Sequence, residues 1–189
     1  VMQQKPDLLL DNGASLILAY CKKPRDWKPL GANEETRTGR LLIDDAGVQL
    51  PFSVVVIDDS PLKKLLENAI GVGQSVLDGY MRATSLLVGG QKVLVVGYGW
   101  VGSGIANKFR AMGAHTCVYD ADPVYLLKAK VDGHEVAPKL EDMLSQADLI
   151  ITATGRFHIL RKEHIPLFKN GAILCNAGHF GFEIDAEEL

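Results

Sequence analysis

Apolar positions along this chain keep two rhythms, and the switch between them marks where strands give way to helices. Val93 to Val96 form an unbroken apolar run, the pattern of a short strand buried on both faces of a parallel sheet. The run leads into Gly97, Gly99 and Gly102, after which Ile105, Ala106, Phe109 and Met112 recur at helical spacing. Gly113 closes that helix, and a second strand ends at Asp120. Beyond it the pattern predicts a helix on PVYLLKAKV with Pro123 in its first turn, then a short strand at HEVAP. A helix on KLEDMLSQA, a strand at DLIITAT, a helix on RKEHIPLFKN and a strand at AILCN follow. This alternation predicts an α/β fold, a doubly wound parallel sheet of the Rossmann kind over residues 90–189.

Residues 1–60 are less regular. DLLLD reads as a strand, ASLILAYCKK as a helix and VQLPFSVVVIDD as a second strand. The polar stretch DWKPLGANEETRTGR between them is too rich in Gly, Pro and charge for a strand or helix. Ser60 and Pro61 supply an N-cap and first-turn residue for helical patterning that continues, interrupted near Gly71 and Gly73, to Leu87 and the stop at Gly89-Gly90. Residues 61–89 are expected to connect a partial first lobe to the second. Two strands and a helix bury too little to stand alone, so the first lobe is expected to be incomplete.

Gly97, Gly99 and Gly102 sit in the strand, turn and helix context that a dinucleotide-binding loop requires. Gly97 permits the tight turn, Gly99 lets a pyrophosphate approach the backbone, and Gly102 lets helix and strand pack closely. The helix amides that follow would hold the phosphate charge. Asp120 is placed to accept from a ribose 2'-hydroxyl, which favours NAD over NADP. Open sheets bind ligands beyond the carboxyl ends of their strands, which directs attention to Gly97–Gly102, Asp120, Thr152–Gly155 and Asn176–His179.

Composition narrows the classes. With 47% apolar and 23% charged residues the chain can bury a core, and a net charge of −3 gives no reason to expect a nucleic acid or anionic membrane as partner. No apolar run has the length of a spanning helix, and the opening VMQQKPD lacks the regions of a signal peptide. The chain starts on Val1 rather than Met, as a piece of a longer protein would. Cys21, Cys117 and Cys175 lie far apart in apolar stretches and read as reduced thiols, in keeping with a cytoplasmic protein. The five histidines show no ligand spacing, so no metal site is expected.

Five segments, LLLDNGASL, EETRTG at 34–39, VVIDDSPLKKLLENAIGVGQS, GYGWVGSG and CNAGHFGFEID, together resemble the S-adenosylhomocysteine hydrolase (adenosylhomocysteinase) family. The resemblance implies that residues 1–60 are part of an α/β substrate domain. It also implies NAD-dependent hydrolysis of S-adenosylhomocysteine to adenosine and homocysteine through transient oxidation of the nucleoside 3'-hydroxyl. By match, Lys63 would serve the 3'-hydroxyl proton, Glu35 and Glu67 would bind the nucleoside, and His179 would contact substrate and cofactor regions. Thr36, Thr38 and Asn68 would touch NAD, with Thr154, Gly155, Asn176 and Gly178 on the nicotinamide side. Trp100 and Val101 lie within the glycine loop, where Trp100 would cover the helix start or pack against a neighbour. Arg37 is a loop charge that could meet a pyrophosphate or carboxylate.

Several matched positions depart from the family. Asn12 stands where the family's aspartate is assigned to the 4'-proton, and an amide has no usefully basic lone pair. Glu67 replaces a shorter aspartate, Val72 a cysteine, Arg37 a threonine and Tyr125 an asparagine; Asp120 replaces a glutamate and Ser103 a lysine. Turnover is therefore expected to be impaired. Two other functions stay open: a nucleoside 3'-oxidoreductase that stops at the redox step, and an NAD-binding regulatory or interaction homologue without hydrolase activity. A homo-oligomer is expected, because an incomplete first lobe leaves apolar surface uncovered.

Overall fold

The computed structural model describes residues 1–23, 26–179 and 181–187. The chain divides into two units, Val1–Lys64 and Leu65–Leu189.

In the first unit, three parallel strands, β1 (Leu8–Asp11), β2 (Gly31–Glu34) and β3 (Ser53–Val56), lie in the order β1-β2-β3. Helix α1 (Ser15–Cys21) joins the first pair and α2 (Arg37–Ala46) the second. Alternation along β1 sends Leu9 and Asp11 inward. Leu9 and Ala32 pack with Ile17 and Tyr20 of α1 and Ile43 of α2. Tyr20 meets Trp27 and Phe52 edge-on and donates its hydroxyl to the Trp27 carbonyl at 2.6 Å, so Trp27 serves local packing. Leu8, Leu10 and Val55 are exposed.

The stretch expected to form neither strand nor helix contributes to both. The polar stretch 26–40 holds the central strand β2 and opens α2. Its inward positions are Ala32 and Glu34, so hydrophobic periodicity has almost nothing to register, and the buried polar group is satisfied locally rather than by apolar contact.

The second unit opens in a helical run, π-wound over Lys63–Gly71 and continuing as α3 (Val72–Thr84). Its five parallel strands are β4 (Lys92–Val96), β5 (His115–Tyr119), β6 (Glu135–Val136), β7 (Leu149–Thr152) and β8 (Ile173–Asn176), ordered β6-β5-β4-β7-β8. Between them lie α4 (Trp100–Ala111), α5 (Pro123–Val131) and α6 (Glu141–Leu144). Val93 and Val95 face a cluster with Ile105, Phe109, Leu149 and Ile151, while Leu94 and Val96 face another with Leu144 and Ile150. Both faces of β4 and β7 are covered, which is why these two strands read as continuous apolar runs. The strand order reverses beside β4, opening the crevice at which such sheets bind ligands.

Three helix boundaries differ from the sequence pattern. Gly71 and Gly73 do not interrupt the helix. A Cβ on Gly73 would lie 2.6 Å from the Gly104 carbonyl oxygen, and one on Gly104 would lie 2.1 Å from that of Ala69, so these glycines permit close helix contact. The segment at RKEHIPLFKN makes only a 3-10 turn (Lys162–Leu167), with Pro166 inside it removing a backbone donor. Residues 139–147 keep only the short α6.

Buried between α4, α5 and β5, His134 pairs with the Thr116 hydroxyl at 2.6 Å and Asn107 Oδ1 at 3.2 Å. Burial, helped by the Arg110 charge, lowers its pKa from 6.5 to about 4. Below the unfolded value of 6.5 the unfolded chain binds a proton that the fold refuses. This contribution is therefore intact above pH 6.5 and is lost as pH falls toward 4. Urea midpoints of the unaltered chain should drop more steeply from pH 7 to pH 5 than those of His134→Gln; parallel profiles would contradict this.

Candidate functional site

The glycine loop of the second unit is built around β4. Gly97 has φ 96°, and a Cβ there would lie 2.8 Å from the Ala153 carbonyl oxygen. A Cβ on Gly102 would lie 1.8 Å from the Gly97 oxygen, so the turn closes only over glycine. Gly99 differs, because a Cβ built there meets nothing within 4 Å. Its bare backbone opens on unfilled space, as a loop that admits a phosphate needs. Helix α4 starts at Trp100 without a side-chain cap or an acid in its first turn, leaving the first amides, through Val101 and Gly102, for an anion. Trp100 is about half exposed. Ser103 donates its hydroxyl to the Trp100 carbonyl at 3.1 Å.

Asp120 follows β5. Its Oδ2 accepts from the Tyr98 amide at 2.7 Å and its Oδ1 from the Asp122 amide at 2.9 Å, which leaves acceptor capacity on both oxygens. A bare glycine, uncapped helix amides and an anchored carboxylate together fit a dinucleotide.

Beyond β7 and β8, a buried carboxylate organises the neighbouring loops. Glu183 is 1% exposed. Its Oε2 accepts from the Thr154 amide at 2.9 Å and the Thr154 hydroxyl at 2.8 Å, and its Oε1 from the Gly155 amide at 2.9 Å. A Cβ on Gly178 would lie 1.8 Å from Glu183 Oε1. Asn176 Oδ1 accepts from Thr152 Oγ1 and from the Gly178 amide, both at 3.2 Å. Thr154, Gly155, Asn176 and Gly178 are thus gathered at one end of the sheet. His179, next in chain, is exposed, and Phe180 lies outside the described residues. Glu67 is exposed and Asn68 half-buried on the π-wound segment.

A second cluster lies in the first unit, at the carboxyl ends of β1 and β2. Glu35 accepts from Asn12 Nδ2 at 3.0 Å on Oε2 and from Lys63 Nζ at 3.3 Å on Oε1. The Lys63 side chain is only 8% exposed. Three residues selected from sequence therefore come together, two of them on the carboxylate of the third. Beneath them Glu34, fully buried, accepts from the Gly13 amide (3.0 Å), the Ala14 amide (2.8 Å), the Thr36 amide (2.8 Å) and the Thr36 hydroxyl (2.6 Å). Asp11 accepts from the Ile17 amide at 2.8 Å and the Asn12 amide at 3.0 Å, fixing the turn into α1. Thr36 caps α2, accepting from the Gly39 amide at 3.0 Å. Arg37 is exposed at the first turn of α2 and Thr38 is half-buried.

Sequence reasoning missed Glu34 and Glu183. No apolar period marks them; the structure shows each packed against a glycine of its own motif, since a Cβ on Gly39 or Gly178 would lie 2.2 Å or 1.8 Å from the carboxylate. Burial pushes the Cys117 thiol up to about 12 and raises those of Cys175 and Cys21, which disfavours the thiolate.

Over residues 68–189 the chain matches the family described as S-adenosyl-L-homocysteine hydrolase, NAD binding domain. It is 45% identical over 193 residues to the adenosylhomocysteinase of Archaeoglobus fulgidus, covering 100% of this chain and 47% of that protein. It is 43% identical over 193 residues to the S-inosyl-L-homocysteine hydrolase of Methanopyrus kandleri, covering 100% and 45%. The chain spans about half the length of the curated relatives it matches. Among solved structures, the dipicolinate synthase A chain of Bacillus subtilis superposes with a TM-score of 0.69 at 18% identity, over 84% of this chain and 52% of that one. The apo D-lactate dehydrogenase of Escherichia coli gives 0.59 at 17%, over 97% and 62%. Likeness at that identity is one of fold alone.

Glycine substitutions separate packing from binding. Gly102→Ala should lower the melting temperature sharply, by overpacking worth about 1–3 kcal/mol. Gly99→Ala should leave melting nearly unchanged yet weaken NAD binding in calorimetric titration. Unchanged affinity in Gly99→Ala would contradict a phosphate at this loop.

Proposed function

The chain belongs to the S-adenosyl-L-homocysteine hydrolase family, and on that premise we propose that it acts on S-adenosylhomocysteine with bound NAD, at a much reduced rate. The observation that carries this reading is the meeting of Asn12 and Lys63 on the Glu35 carboxylate, at 3.0 and 3.3 Å. When bound, NAD supplies the hydride acceptor for a carbinol carbon of the nucleoside. Lys63 Nζ, which donates to Glu35 Oε1 at 3.3 Å, can yield one of its protons to that carboxylate and take the hydroxyl proton in its place. Glu35 stays oriented because its two oxygens are held by different donors. Asn12 donates through Nδ2 and has no site that could take a carbon-bound proton. Proton removal next to an oxidised carbon is the step this chain is least equipped to perform.

The same observation favours a second reading, oxidation of the nucleoside without thioether cleavage. Reduced-nicotinamide absorbance on mixing with NAD and adenosine, with no deuterium entering C4' in heavy water, would select it.

A thiol reagent reading homocysteine release tests the main proposal. The unaltered chain should turn over S-adenosylhomocysteine well below ~1 s⁻¹. Because a positioned base is worth ~10²–10⁴-fold, Asn12→Asp should raise the rate. Turnover by the unaltered chain at ~1 s⁻¹ or faster would contradict the impairment. No release from either protein, with NAD bound, would contradict the hydrolase reading.

A further inference from the structure

Tyr98 occupies the variable position between Gly97 and Gly99, yet it is among the most buried side chains of the second unit, 1% exposed. Its ring turns away from the loop's open side. The hydroxyl donates to Asp132 Oδ2 at 2.9 Å, just past the end of α5, and the ring meets His134 edge-on at 5.6 Å. Lys128 Nζ stands 4.7 Å over the ring and also reaches Asp132 Oδ2, at 2.8 Å. At the other end of the same residue, the backbone amide donates to Asp120 Oδ2 at 2.7 Å. One residue therefore ties the glycine loop to the end of α5 and to the carboxylate after β5.

We propose that Tyr98 is a positioning residue for cofactor discrimination: its hydroxyl, seated on Asp132, fixes the amide that aims Asp120 at the adenosine ribose. The proposal rests on the reading that this loop binds NAD. The hydroxyl is suited to the task because burial, reinforced by Asp132, raises its pKa and keeps it a donor. Asp132 is suited as acceptor because its hydrogen bond from Lys128, supported by that from Tyr98, lowers its pKa and keeps it ionised. Two consequences separate positioning from bulk packing. A carboxylate held by the Tyr98 amide accepts from a 2'-hydroxyl and repels a 2'-phosphate, so both the affinity for NAD and the exclusion of NADP depend on where it points. Releasing the hydroxyl frees the loop and lets Asp120 swing, which harms NAD and relieves NADP. General loosening of the fold would weaken both dinucleotides alike.

Calorimetric titration of NAD and NADP into the unaltered chain, Tyr98→Phe, Asp120→Asn and the double variant tests this. Tyr98→Phe keeps the ring and its packing, so folding is preserved, and melting curves verify it. NAD binding should weaken about three- to tenfold, the scale of a hydrogen bond to a charged group spread through one residue. The NAD-over-NADP ratio should fall by a similar factor. In the Asp120→Asn background, Tyr98→Phe should leave the ratio unchanged, because the carboxylate through which it acts is gone. Asp132→Asn, which keeps an acceptor without its charge, should shift the ratio in the same direction but less. An unchanged ratio in Tyr98→Phe, equal weakening of both cofactors, or a ratio that still shifts in the Asp120→Asn background would each overturn the proposal. Failure of the unaltered chain to bind NAD would overturn the reading beneath it as well.

Discussion

Two buried carboxylates hold the ends of the two sheets, and the candidate chemistry hangs on the loops they gather. Parallel strands finish on backbone amides that the ladder no longer satisfies, and an amide buried without a partner is costly. Glu34 answers this in the first unit by accepting from Gly13, Ala14 and Thr36. Glu183 answers it in the second by accepting from Thr154 and Gly155. Among the described residues neither has a basic side chain within ion-pair distance, so amides, a threonine hydroxyl and, for Glu34, the starts of α1 and α2 carry the charge. Removing such a carboxylate strands several buried donors, each at about 1–3 kcal/mol.

These hydrogen bonds tie down the loops that carry the residues of interest. In the first unit Glu34 fixes the turn that presents Asn12 and the turn that presents Glu35, and Asn12 then reaches Glu35 at 3.0 Å. In the second, Glu183 fixes Thr154 and Gly155 while Tyr98 fixes the loop after β4 through Asp120. Each sheet thus sets its own carboxyl-end loops with a buried acid whose oxygens are taken up by amides and a threonine hydroxyl.

What could be read from the sequence follows from the same physics. β4 and β7 were legible because strands covered on both faces are apolar along nearly their whole length. The glycine loop was legible because its turn and close packing allow only glycine at Gly97 and Gly102. β2 was not, because a strand that buries Ala32 and Glu34 carries no hydrophobic signature. α2 was hidden too, since its only fully buried positions are Gly39 and Ile43, with Leu42 partly buried beside them. The meeting of Asn12, Glu35 and Lys63 was available only through family resemblance: residues so far apart in sequence share no period. Glu34 and Glu183 were hidden because their partners are amides, which every residue carries.

Both loop clusters depend on those two acids being carboxylates that hold amides, and amide hydrogen exchange resolved by NMR tests this directly. In the unaltered chain the amides of Gly13, Ala14, Thr36, Thr154 and Gly155 should be protected although they lie outside the strand ladders. Glu34→Gln places a donor among donors, so it should strip protection from Gly13, Ala14 and Thr36 while sparing Thr154 and Gly155; Glu183→Gln should do the reverse. Fast exchange at these amides in the unaltered chain, or protection that survives both substitutions, would contradict the claim that buried carboxylates organise the two sites.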